Sequence, residues 1–186
     1  MVTGRHEEAI SEAKRAQELD PLSCYINTRT GDAFEYAGQH NRAIEEYRMT
    51  LKINPNYFFT HFQLGWVYYY AKGMVKESVA EYKKAVDLSD GNPFAIASLV
   101  CRYYQIGEKD KADKLFESVK KRSETEYVPA TSFYLIHRVR GEEELALEWL
   151  KRACTEHDTF LPWLRVNPIF IPEGSRYMAL LKEMGL

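Results

Sequence analysis

The sequence predicts an all-α solenoid of repeated helix-turn-helix units, and three observations predict it. A glycine recurs at Gly4, Gly38, Gly73, Gly107 and Gly141, with spacings of 34, 35, 34 and 34 residues. Small residues follow five positions later at Ala9, Ala43, Ser78, Ala112 and Ala146, and a third register runs through Ala13, Tyr47, Tyr82, Phe116 and Leu150. Each full period also holds two stretches with apolar groups at helical spacing, as in His61, Leu64, Gly65 and Tyr68 followed by Val75, Val79, Tyr82 and Val86.

Residues 4–21 read as half a repeat. Only three residues precede Gly4, so the helix over 5–19 turns Ile10, Ala13 and Leu19 toward a first helix that is not there. A repeat cannot bury its core alone. The expectation is therefore a C-terminal piece of a longer protein, or a short protein with an atypical first cap. Full repeats follow at 24–55, 58–90, 93–122 and 127–154, so the array occupies 1–154 and a C-terminal extension 155–186. In each repeat the turn glycine ends the first helix in the left-handed region, which costs glycine nothing. Asn56 and Asn92 read as N-caps, with Pro93 at a first helical position where its missing donor does no harm. The small residues suit the closest approach of two antiparallel helices. At the far end Ser175 caps a short amphipathic helix through Arg176, Tyr177, Leu180, Leu181 and Met184, stopped by Gly185 and placed to cover the last repeat.

The 186 residues are 45% apolar and 28% charged, enough for a core and too apolar for disorder. Twenty-seven acidic against 25 basic side chains leave a charge of −2, without the excess that draws a protein to nucleic acid or a membrane surface. Neither is expected as a partner. The longest apolar runs, 67–71 and 94–101, are far shorter than a membrane span. Cys24, Cys101 and Cys154 are too dispersed for a disulfide framework, which points to a reducing compartment and hence the cytoplasm.

The 34-residue period, with its order of small residue, Gly, aromatic, Gly, Ala, aromatic, Ala and Pro, resembles the tetratricopeptide repeat. The third unit fits closely, with LGWVYYYAKG from Leu64 to Gly73 and then Ser78, Tyr82 and Ala85. Val100 and Tyr134 depart from the pattern where Gly31 and Gly65 keep it, as does Asp90 where Pro21 and Pro55 stand. The resemblance covers about residues 4–154 and implies a right-handed superhelix. The tail from Phe160 is similar to the ending of many bacterial tetratricopeptide proteins, which are multidomain regulators with cyclase, kinase or winged-helix domains in the cytoplasm or periplasm. The role the family implies is binding of proteins or peptides along a concave surface, without chemistry and without a cofactor.

The stripe of each first helix that faces away from its neighbours is where such binding would occur. Residues 58–71 carry a second apolar stripe there, Phe59, Phe62, Trp66, Tyr69 and Tyr70. One period earlier stand Tyr25, Thr28, Asp32 and Glu35; later come Phe94, Ala97, Cys101 and Tyr104, then Val128, Thr131, Leu135 and Arg138. The expected contact set is Tyr25, Arg29, Asp32, Phe59, Phe62, Trp66, Tyr69, Phe94, Cys101, Tyr104, Leu135 and Arg138, an aromatic floor flanked by charge. Trp66 is its expected anchor, accessible to a quencher in the free protein. The same stripe serves equally as a face buried by the chain's own tail or by tight packing, as a homodimer contact, or as a self-association surface of a larger signalling protein. Only Arg29 supplies a cation among Tyr25, Arg29, Phe59, Gln63, Phe94 and Ser98, so the carboxylate clamp of the family's chaperone-helper form is not carried over. No phosphate loop, His-Glu-x-x-His, Cys-x-x-Cys or Gly-x-Ser-x-Gly occurs, so the expectation is a protein that is not an enzyme. His6 and His40 occupy equivalent helix starts without acid or thiol partners, so no metal site is expected.

Overall fold

A computed structural model describes residues 5–162, 171–172 and 174–185; Gly4 of the glycine register, and residues 163–170 of the tail, lie outside the described residues. Ten helices and no strand occur among those described. They are α1 (His6–Leu19), α2 (Cys24–Tyr36), α3 (His40–Ile53), α4 (Phe58–Tyr70), α5 (Val75–Leu88), α6 (Pro93–Gln105), α7 (Lys109–Ser123), α8 (Ala130–Val139), α9 (Glu143–Thr155) and α10 (Arg176–Glu183). The chain divides into two compact units, Val2–Gly91 with α1 to α5 and Asn92–Leu186 with α6 to α10. The class is the all-α solenoid of helical repeats, its pairs being α2 with α3, α4 with α5, α6 with α7 and α8 with α9.

The turns show why the glycine recurs. Beyond α2, Gly38 has φ 73°, its N–H bonds to Glu35 O at 2.9 Å, and the Gln39 N–H reaches back to Phe34 O at 2.8 Å. These two reversed bonds satisfy carbonyls that the helix leaves open at its end. Glu108 to Tyr103 O at 2.9 Å and Glu142 to His137 O at 3.0 Å repeat the longer bond two and three periods on. After α4 the chain holds one more residue, and Met74 bonds to Tyr68 O at 2.8 Å, so Lys72 is absorbed in the turn.

Helix starts follow the sequence with one exception. Asn92 Oδ1 accepts from Phe94 N–H at 3.1 Å and Ala95 N–H at 3.2 Å, and Ser175 Oγ accepts from Met178 N–H at 3.2 Å. Asn56 does not cap α4: the helix begins one residue later, behind Tyr57, and Asn56 gives its N–H to Asn54 Oδ1 at 3.0 Å in a side-chain turn.

Within Val2–Gly91 the closest approach of each pair is glycine against tyrosine. A Cβ placed on Gly31 would overlap the ring of Tyr47, and one on Gly65 would lie 3.0 Å from Tyr82. Both rings are fully buried, as are Ala43 and Ser78, and Ser78 Oγ donates to Gly65 O at 2.6 Å. In register, Val100 faces the smaller Phe116 and Tyr134 the smaller Leu150. All four of these residues are buried. The last pair is closed by α10: Tyr177 meets Tyr134 edge-on with ring centroids 5.5 Å apart, and Leu181 is fully buried.

Gly31→Ala should cost about 1–3 kcal/mol even after the roughly 1 kcal/mol that alanine gains in helix propensity. Tyr47 cannot retreat, because its hydroxyl is held by Asp32 at 2.7 Å. Ala112→Leu should cost a similar amount, about 1–3 kcal/mol, by forcing α6 and α7 apart. Urea denaturation measures both, and an unchanged midpoint for either variant would show its helix pairing to be wrong.

Candidate functional site

In Val2–Gly91 the expected contact residues separate into a buried layer and an exposed one. Asp32, only 4% exposed, is the junction. It accepts the Tyr47 hydroxyl from α3 at 2.7 Å, the Gln63 amide from α4, and Arg29 Nη1 from its own helix at 2.7 Å. Burial pushes its carboxyl above the usual range, and the bonds from Gln63, Tyr47 and Arg29 counter only part of that. Thr28 and Thr60 share a 2.6 Å hydroxyl contact beside it. Three donors on one carboxylate bind α2, α3 and α4 through a single side chain.

The exposed layer is built on Arg29. Its guanidinium lies 5.2 Å from the Tyr25 ring centroid and 4.6 Å from that of Phe59, so the cation sits between two aromatic rings while Asp32 holds one edge. The Arg29 side chain is 45% exposed and Tyr25 is 59% exposed. Phe59, half-buried, stacks toward Phe62 at 6.4 Å. Tyr25, Arg29 and Phe59 therefore form a surface patch with an ordered cation.

Trp66 corrects the expectation of an accessible anchor. It is 6% exposed, its indole N–H donates to Glu35 Oε1 at 3.1 Å, and its ring lies 3.8 Å from that of Tyr70. Phe62 is buried as well, edge-on to Tyr82 at 5.3 Å, and Tyr69 is half-buried against Tyr70. A helix that is apolar on both sides is buried on both, and here most of the second stripe follows that rule. Burial raises the Glu35 carboxyl too, opposed by the Trp66 bond and reinforced by the charge of Asp32.

In Asn92–Leu186 the expected set is mostly internal. Phe94 stacks on Phe160 with centroids 4.1 Å apart, so residues beyond α9 cover it. Phe160 is placed by Asp158, which accepts its N–H at 2.9 Å and both donors of Thr131 at 2.9 Å. Cys101 and Leu135 are buried, the thiol donating weakly to Leu135 O at 3.5 Å, and burial pushes that thiol up to about 11. An unreactive core cysteine results. Arg138 is half-buried. Tyr104 points toward residues that sequence reasoning missed: its hydroxyl bonds Asp113 and receives Arg140 Nη1 at 2.8 Å, and Arg140 Nε reaches Glu142 at 2.8 Å. These line an open cavity of about 420 Å³ with Gln105, Lys109 and Val139. Burial and the Asp113 bond push the Tyr104 hydroxyl up to about 12. Arg140 is paired with Asp113 and Glu142, and among the described residues no group of three potential metal ligands occurs. No described helix is long and apolar enough to cross a membrane.

Two measurements follow. Trp66→Ala empties a core position and should cost about 3–5 kcal/mol in chemical denaturation; a loss below 1 kcal/mol would mean the ring is not packed as described. Glu35 has a folded value above its ordinary 4.5, so the folded state holds that proton more tightly and stability falls as pH rises through the raised value. Glu35→Gln should therefore lose less stability between pH 4.5 and 7 than the parent, read from urea midpoints. An equal loss in both proteins would remove the buried carboxylate as its cause.

Residues 60–92 match the family model described as Tetratricopeptide repeat. BBSome complex member BBS4 of Bos taurus is 24% identical over 179 residues, 96% of this chain and 34% of that protein. The Small glutamine-rich tetratricopeptide repeat-containing protein 2 of Mycosarcoma maydis is 27% identical over 105 residues, 56% of this chain and 30% of that one. The chain thus spans about a third of the length of the curated relatives it matches. Among solved structures, YrrB, described as a TPR protein with an unusual peptide-binding site, superposes with a TM-score of 0.56 at 19% identity, over 97% of this chain and 84% of that one. Residues 60–92 thus form a tetratricopeptide repeat, and the glycine turns and glycine-on-tyrosine helix pairs of the chain agree with the fold of such repeats.

Proposed function

We propose that this chain is a non-catalytic module that binds a protein or peptide segment through Tyr25, Arg29 and Phe59. The observation that carries the reading is the half-exposed guanidinium of Arg29, set between two rings and tied to a buried carboxylate. A long cationic side chain ordinarily loses much rotamer freedom when it is bound, and one already ordered loses less. Tyrosine and arginine are the side chains that concentrate binding energy, because they bring rigid area and directed donors together. Phe62, buried, backs Phe59. In Asn92–Leu186, Tyr104 and Arg138 are the stripe residues with surface left to contribute, while Phe94, Cys101 and Leu135 are packed. The peptide-binding site named for YrrB and the complex membership named for BBS4 agree with a role in partner binding.

A random peptide library panned on the full chain tests the reading. Tyr25→Ala and Arg29→Ala should each weaken the selected peptides at least about tenfold. Folding should be little changed for Tyr25→Ala, because that side chain is mostly exposed. Selection of no peptide, or of peptides that bind both variants as they bind the parent, would overturn it.

A further inference from the structure

The open cavity of about 420 Å³ around Tyr104 lies where the α6–α7 hairpin meets the turn between α8 and α9. The repeat itself does not call for charge there. Lys109, Asp113 and Arg140 correspond to Val75, Val79 and Ile106 one period earlier, so the unit forms with apolar residues at all three positions. What the charges add is bonding capacity that the protein leaves open. Arg140 gives Nη1 to the Tyr104 hydroxyl and to Asp113 Oδ1, both at 2.8 Å, and Nε to Glu142 Oε1 at 2.8 Å, which fixes the plane of its guanidinium. Its Nη2 has no acceptor among the described residues. Glu142 is engaged at both oxygens, the second lying 2.6 Å from His137 Nδ1. Lys109, exposed, makes no ion pair among the described residues, although Asp113 stands one turn further along α7.

The open valences are therefore mostly cationic donors: the Nη2 N–H groups of Arg140 and the ammonium of Lys109, against the one oxygen of Asp113 that neither Tyr104 nor Arg140 takes. A negatively charged acceptor completes such a set. Lys109 and Arg140 against Asp113 and Glu142 leave the lining neutral, so one added negative charge is accommodated while a second is opposed by the two carboxylates close by. This selects a carboxylate over a phosphate dianion. A guanidinium already held along its other edges also loses less freedom on binding than a loose one.

We infer that this cavity binds a single carboxylate group, the side chain of a glutamate or aspartate on a partner segment, through Arg140 Nη2 and Lys109 Nζ. The site is separate from Tyr25, Arg29 and Phe59, and it does not depend on the function proposed for them.

The probes are the capped peptides Gly-Gly-Glu-Gly-Gly and Gly-Gly-Gln-Gly-Gly and inorganic phosphate, each titrated into the full chain at fixed ionic strength. Binding is read by NMR from the Arg140 Nε–H signal and the backbone amides of Lys109 and Asp113. The glutamate peptide should bind at least about tenfold more tightly than the glutamine peptide, and more tightly than phosphate. Lys109→Gln should weaken the glutamate peptide at least about threefold. The thermal midpoint should stay where it is, because Lys109 is exposed. Lys111→Gln, at a lysine already paired with Glu108 at 3.1 Å, should leave the affinity unchanged. No saturable binding of the glutamate peptide, equal affinity for the two peptides, tighter binding of phosphate, or equal effects of the two lysine substitutions would each overturn the inference.

Discussion

The fold rests on a size match at the crossing of each helix pair. Where the first helix has no side chain, at Gly31 and Gly65, the second helix inserts a tyrosine ring, and the backbones approach as far as the ring allows. The neighbouring Ala43 and Ser78 extend the close contact along the helices. Because packing of this density tolerates neither a gap nor an overlap, residues on the two helices are chosen jointly. The later pairs carry Val100 and Tyr134 in the glycine positions, with Phe116 and Leu150 in place of the tyrosine, and all four are buried.

That crossing also carries a polar group to the edge of the core. The ring buried on Gly31 ends in a hydroxyl that meets Asp32, and Asp32 in turn fixes Arg29 between Tyr25 and Phe59 at the surface. Three donors, from α2, α3 and α4, offset part of the cost of burying that carboxyl group. The result links a packing contact to the orientation of an exposed cation over two covalent side chains.

The period, the helix pairs, the glycine turns and the caps at Asn92 and Ser175 were legible from residue spacing, because each depends on neighbours within a few positions. Asn56 misled because a cap and a turn residue have the same chemistry, and only the backbone one residue later separates them. The contact surface was less legible. An apolar second stripe looks the same whether solvent, a ligand or the chain itself covers it, and Trp66 and Phe94 prove to be covered by Glu35 with Tyr70 and by Phe160. The exposure of Tyr25 and Arg29 follows from their register, whereas Asp113, Arg140 and Glu142 around Tyr104 were missed because they sit on α7 and in the turn between α8 and α9, distant from Tyr104 in sequence.

Lys72 shows how little a strict count matters to this architecture. The turn after α4 carries one residue more than the turn after α2, yet both helices have thirteen residues and both close through a reversed bond from just beyond the glycine. Insertions are thus accepted at the hairpin and refused along the helix, where one residue would rotate every later side chain by about a hundred degrees. Gaps in a comparison of such chains belong at these hairpins, and a search that demands a rigid period would overlook genuine copies of the unit.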